Sequence, residues 1–197
     1  MPVNAALRDH LKTRRSVGIG FLQEPGPDEA VLAEMLAIAT RVPDHRKLAP
    51  WRLVLYRGAA RAQVGDKLAE IARRRNPDID EASLDAERQR FLPAPLTVGV
   101  LSVPVEDPKV PEIEQVLSAG NVCFNLLHAA AAFGFGASWV TRWYTFDAEA
   151  AATLGAGEGE RFVGFVHIGT ATAVIEDRDR PQLSDVVREW GVDRAYG

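Results

Sequence analysis

Apolar positions recur along the chain at two spacings, and the change from one to the other marks out its elements. Leu7 and Leu11 stand one turn apart and predict a short helix from Asn4 to Lys12. FLQEPGP, Phe21 to Pro27, is a turn-rich link. Pro27 suits the first position of a helix, with Asp28 and Glu29 near its positive end. Val31, Leu32, Met35, Leu36 and Ala39 give that helix its apolar face, and Pro43 forces it to stop near Val42. WRLVLY, Trp51 to Tyr56, reads as a strand. Ala59 to Arg75 is amphipathic, with Val64, Leu68 and Ile71 on one face. Asp80 to Arg90 reads as a charged, exposed helix or a mobile excursion. LTVGVLSV, Leu96 to Val103, reads as a buried strand.

Pro111 to Phe133 predicts a long helix. Its stretch NVCFNLLHAAAA is apolar on most sides, so it belongs in a core or against a partner, and Ser118, Ala119 and Gly120 permit close packing. Gly134 is its cap. A short strand, Ala137 to Thr141, a short helix, Asp147 to Leu154, and a long strand, Arg161 to Ala171, follow. A last helix is predicted over Leu183 to Trp190. Helices and strands are mixed around one sheet, in one domain spanning residues 1–197.

Composition narrows the function classes. The 197 residues are 47% hydrophobic and 25% charged, a balance that builds an ordinary globular core. The net charge of −4 offers no bulk basic field for nucleic acid. The single cysteine, Cys123, excludes an internal disulfide or a cysteine metal cage, and its apolar helical setting reads as a buried, inert thiol. MPVNAALRDH lacks the apolar core of a signal peptide, and no apolar run is long enough to span a bilayer, so a cytoplasmic protein is expected.

Three polar constellations are candidates for chemistry. RRS, Arg14 to Ser16, sets two guanidinium forks beside a hydroxyl, a set that suits a phosphate, or else decorates a helix C-terminus with cations. RVPDHRKLAPW, Arg41 to Trp51, crowds Asp44, His45, Arg46 and Lys47 between two stiffening prolines; it reads as a preorganised ligand loop or a charged surface link. EDRDRPQ, Glu176 to Gln182, places Arg178 and Arg180 after the last strand, to add to the same anion as Arg14 or to remain solvated. Arg73, Arg74 and Arg75 read instead as a solvated helix end. There is no GxGxxG, no GxxxxGK and no GxSxG. The four histidines have no metal-ligand spacing.

The order of the motifs says more than any one of them. RRS (Arg14–Ser16), PDHxxxxPWR (Pro43–Arg52), KVPxxEQxxSAG (Lys109–Gly120), GFGxxW (Gly134–Trp139) and VGFxxIGT (Val163–Thr170) together resemble the nitroreductase family, most closely its small, single-domain FMN-dependent branch. The resemblance implies an α+β fold, a central mixed sheet flanked by helices, and an intertwined homodimer with FMN at the subunit interface. It implies that Arg14, Arg15 and Ser16 hold the FMN phosphate and ribityl chain, and that His45 contacts the flavin. Trp139, Val140 and Thr141 match a second flavin-contacting segment, acting largely through backbone groups. Arg178 and Arg180 lie where the family often places a phosphate-binding cation. The chain departs from the pattern at Ala49, where the family often has Asn or Gln.

The implied activity is electron transfer from NAD(P)H to nitroaromatic, quinone or similar acceptors, by hydride transfer in a ping-pong cycle. The flavin carries that chemistry and the protein binds, orients and tunes it, so no catalytic side chain and no metal is expected. The alternative is a flavin-binding sensor or carrier without turnover.

Overall fold

The structure, a computed structural model, describes residues 2–191. In chain order the elements are α1 (Ala5–Thr13), β1 (Leu22–Gln23), α2 (Glu29–Ala39), β2 (Trp51–Arg57), α3 (Ala60–Arg75), α4 (Glu81–Arg88), β3 (Leu96–Ser102), α5 (Glu112–Ala132), β4 (Gly136–Val140), α6 (Trp143–Phe146), α7 (Ala148–Thr153), β5 (Arg161–Ala171) and α8 (Leu183–Val186). Single 3₁₀ turns stand at Ile19–Phe21 and His45–Lys47. The chain divides into two compact units, one spanning residues 16–173 and one made of residues 2–15 with 174–191.

The larger unit is built on a sheet in the order β1-β5-β3-β2, with β4 also paired to β5. All four pairings among these strands are antiparallel, where the family resemblance implies a mixed sheet. Strand direction is set by how the long connections return, which the local apolar pattern does not encode.

Strand alternation sends alternate residues into two separate cores. Leu96, Val98 and Val100 of β3, with Val166 and Ile168 of β5, pack under Leu32, Met35, Val122, Cys123 and Leu126 of α2 and α5. Leu101 of β3, Tyr56 of β2 and Phe165 of β5 face the other way, into a cluster with Leu68, Ile71, Phe91, Tyr144 and Leu154. Because β3 is covered on both faces, all seven of its residues are buried, which explains a run that is apolar but for Thr97 and Ser102.

Helix α4 resolves the choice between a helix and an excursion at residues 80–90. Asp80 caps it by accepting the Ser83 N–H at 2.8 Å. It is docked through buried Leu84 and Glu87, whose carboxylate accepts from Arg90 at 2.7 Å and from the Trp143 indole at 3.0 Å. The arginines ending α3 are more than a solvated helix end, for Arg73, Arg74 and Arg75 pair with Glu81, Glu149 and Asp147.

Helix α5 buries one face, from Gln115 through Ala119 and Cys123 to Ala130. The other face leaves Ile113, Leu117 and Phe124 exposed. Burial pushes the Cys123 thiol up, so it stays protonated and inert, as expected.

In the smaller unit, α1 begins at Asn4, whose side chain accepts the Leu7 N–H at 3.1 Å. The last helix is shorter than Leu183 to Trp190. It stops at Val186, because Val187 adopts extended angles of φ −117° and ψ 129°. Leu7, Leu11, Leu183, Val186 and Trp190 are all exposed.

His167 of β5 lies fully buried in the aromatic core, its Nδ1 2.8 Å from the Thr97 hydroxyl and its ring 5.6 Å from Phe91. Burial, helped by the charge of Arg142, pushes its pKa down to about 4. The folded state therefore holds a neutral ring, while the unfolded chain takes up a proton near pH 6.5. Stability conferred by the neutral ring is complete above pH 6.5 and is lost as pH falls toward 4, by about 3 kcal/mol. Denaturant unfolding at several pH values checks this. The part of the acid slope between pH 6.5 and 4 that comes from this ring disappears in His167→Asn.

Candidate functional site

The residues singled out in the sequence fall into three places. The first lies in the smaller unit and is a knot of arginines. Arg14 is the C-terminal cap of α1, its N–H bonded to the His10 carbonyl at 2.9 Å. Arg15 is held from the strand-following segment: its guanidinium donates to the Glu176 carbonyl and lies 3.7 Å from the Asp177 carboxylate. Arg180 reaches the same Asp177 oxygen at 3.4 Å, and the Arg178 N–H donates to it at 2.8 Å. That N–H, followed by the charges of Arg180 and Arg15, holds the Asp177 carboxyl below its usual range. Two guanidinium groups and a backbone N–H thus converge on one anionic oxygen. This donor set fits a phosphate oxygen equally well.

The second place is the loop between α2 and β2. Arg46, Lys47 and Ala49 have φ of 65°, 58° and 47°, the left-handed region that costs a residue with a Cβ about 1–2 kcal/mol each. Asp44 folds the loop back on itself, accepting the Leu48 N–H at 3.0 Å and the Ala49 N–H at 2.9 Å. His45 Nδ1 lies 2.8 Å from Glu114 of α5, and Arg46 Nε 3.3 Å from Asp107. Ala49 stands in a conformation that Asn adopts more readily than Ala, so the departure from the family pattern removes a polar group and also strains the backbone. Lys47, the cation nearest to replacing that group, is exposed.

The third place is the end of β4. Trp139 pairs with Val166 through the backbone, but its side chain is placed as deliberately as its main chain. The ladder between β3 and β5 slips between Val100 and Leu101, leaving Val163 as an extra residue in β5. The Val163 carbonyl accepts the Trp139 indole N–H at 3.3 Å. The ring then lies over Gly164, where a Cβ would stand 2.0 Å from the indole nitrogen; Gly164 also has φ 153°. Val140 closes β4 opposite Phe165, and Thr141 follows it, exposed.

Trp139 also lines a groove of about 1120 Å³ with Ile113, Leu117, Phe124, Phe146 and Val163. Arg161 and Glu112 pair at its rim. Phe146, on the short helix α6 that the apolar pattern missed, is 78% exposed there. His45 and Ser16 are not on this groove; His45 meets α5 at Glu114, beside Gln115 and Ser118. Among the described residues no helix is long and apolar enough to cross a membrane, and no three His, Cys, Asp or Glu side chains gather to hold a metal.

Replacing Gly164 with Ala forces the indole off the bulge and puts a Cβ in a conformation it disfavours, so Gly164→Ala is expected to cost about 2 kcal/mol. Chemical unfolding of a double-mutant cycle with Trp139→Phe measures the coupling, and the loss is smaller in the Phe background.

Comparison with known proteins agrees with the motif order. The sequence profile of the Nitroreductase family matches residues 11–170. A protein of Escherichia coli (strain K12) named "Putative NAD(P)H nitroreductase YdjA" is 32% identical over 149 residues, covering 76% of this chain and 80% of its own. A Bacillus subtilis (strain 168) protein named "Putative NAD(P)H nitroreductase YfhC" is 26% identical over 92% of this chain and 93% of its own. Among solved structures, a nitroreductase-like family protein from Bacillus cereus superposes with a TM-score of 0.78 at 23% identity, covering 98% of this chain and 100% of that one. A nitroreductase with bound FMN from Bacteroides fragilis NCTC 9343 superposes at 0.69 and 18% identity, over 95% of this chain and all of that one. By the profile match across most of its length and by these relatives, the chain belongs to the nitroreductase family.

Proposed function

We propose that the chain acts as one nitroreductase-like domain, an FMN-dependent oxidoreductase that passes electrons from NAD(P)H to nitroaromatic, quinone or similar small acceptors. Family membership supplies the reaction class. The feature of this chain that carries the reading is the convergence of Arg15, Arg178 and Arg180 on the single oxygen of Asp177. A phosphate takes the same donors, with Arg14 and Ser16 beside them in the chain and Asp177 yielding its place.

FMN, when bound, supplies hydride acceptance from NAD(P)H and delivery to the second substrate. The chain's own residues bind and orient. The arginine knot anchors an anion, the His45 loop presents a preset backbone, and the indole of Trp139 offers a flat apolar wall. No side chain would have to move a proton, and exposed Arg46 and Lys47 of the loop would favour negative charge on a flavin held beside it.

The working form is a cytoplasmic homodimer. The exposed stripe Ile113, Leu117 and Phe124, with Trp139 and Phe146 across the groove, is the apolar surface a second copy would cover. His45 and Trp139 border different faces of α5, so a second copy is what brings such surfaces together around one ligand.

Two measurements test this. The purified protein shows a flavin absorption spectrum, intrinsically or after adding FMN, which bleaches without oxygen on addition of NADH or NADPH. Binding without bleaching indicates a carrier or sensor. Arg14→Ala weakens FMN binding by about tenfold or more, against about twofold or less for Arg74→Ala, since Arg74 is occupied by Glu149. Separately, Leu117→Glu puts a charge in the apolar stripe. Sedimentation then finds a monomer where the parent chain sediments as a dimer.

A further inference from the structure

The strained loop at residues 44–49 does not hold itself. Its internal bonds are the two Asp44 carboxylate contacts and the Lys47 N–H on the Asp44 carbonyl at 3.3 Å, and the other ties come from outside. Ser118 of α5 donates to the Pro43 carbonyl at 2.5 Å. Glu114, one turn earlier on α5, holds His45. The Val103 N–H donates to the Pro50 carbonyl at 2.9 Å, fixing the far end. Arg46, the first of the three left-handed residues, is held by Asp107.

Asp107 is itself in an irregular segment, residues 103–110, between β3 and α5. Gln115 organises that segment. It is 2% exposed, and its side-chain amide is fully used: Oε1 accepts the Val105 N–H at 2.8 Å, while Nε2 donates to the Val105 carbonyl at 2.8 Å and the Val110 carbonyl at 3.2 Å. A buried amide that satisfies both backbone groups of one residue mimics a strand neighbour and pins the segment in one register.

We infer that Gln115 is a positioning residue for the flavin loop. It acts through the 103–110 segment and the Asp107–Arg46 pair to keep Arg46, Lys47 and Ala49 in their left-handed conformation before any ligand arrives. The inference rests on the proposed FMN function for its consequence, and on the hydrogen bonds alone for its mechanism. The relay is Gln115 to Val105, Val105 to Asp107 along the chain, Asp107 to Arg46, and Arg46 to the turn. Loss of any link lets the three residues relax to ordinary angles, and the loop must then pay for its shape on binding.

The test compares Gln115→Leu, Asp107→Asn and the double variant by two readouts, the FMN dissociation constant and the hydrogen exchange of the Leu48 and Ala49 amides. Each single variant is expected to weaken FMN binding and speed exchange at those amides by about tenfold or more. The double variant is expected to be no worse than the more affected single, because both act on one chain of contacts. A purely structural role for Gln115 would lower the unfolding midpoint of Gln115→Leu and leave both readouts alone in Asp107→Asn. Should Gln115→Leu fail to fold, Asp107→Asn decides. Exchange at Leu48 and Ala49 that stays within about twofold of the parent in Asp107→Asn overturns the inference. If the parent chain itself binds no FMN, the proposed function fails, and the exchange measurement still decides whether the relay exists.

Discussion

A helix with apolar side chains on opposite sides has to be covered twice, and most of this structure is arranged around that requirement. The sheet and α2 cover the side of α5 that carries Cys123 and Leu126. The opposite side, with Leu117 and Phe124, is left to the groove that Trp139 and Phe146 border. The polar first turns of the same helix hold the loop before β2. One helix therefore serves as core, as groove wall and as bracket. Its other side leaves Ile113, Leu117 and Phe124 exposed to solvent.

Rigidity in the candidate site comes from pairing strain with many small restraints. Three residues with side chains in the left-handed region would relax if they were held at one point only. Here contacts reach the loop and its flanks from Ser118, Glu114, Asp107 and Val103, which are spread over one helix and one irregular segment. The same logic applies at β4, where a bulge in β5 frees the Val163 carbonyl to take the Trp139 indole, and a glycine makes room for the ring.

Much of this was legible in the sequence where the period was long enough to read. The strands at Trp51, Leu96 and Arg161 and the helices ending at Arg75 and Ala132 lie within a residue or two of their expected limits. The strand at Leu22 and the helix at Trp143 are too short to show a period. Leu183, Val186, Val187 and Trp190 have helical spacing but no core beneath them, and spacing without burial does not sustain a helix. The cations of the arginine knot are visible in the sequence as types. That Asp177 stands among them as their common acceptor follows from the turn of the chain. The loop's strain left no mark, since Arg46, Lys47 and Ala49 are not the residues that usually announce a left-handed turn. Glu114 is 69 residues from His45, and no local pattern joins them.

The position of β2 at the end of the sheet also matters for how copies of the chain meet. An end strand offers a row of unused backbone groups, an open template for any extended segment that passes. On this strand Arg52 is locked to Glu160 and to the Gly155 carbonyl, and Arg57 to Glu29. Two paired arginines on a seven-residue strand make that border inhospitable to a continuing sheet. Indefinite stacking of copies edge to edge is thereby discouraged.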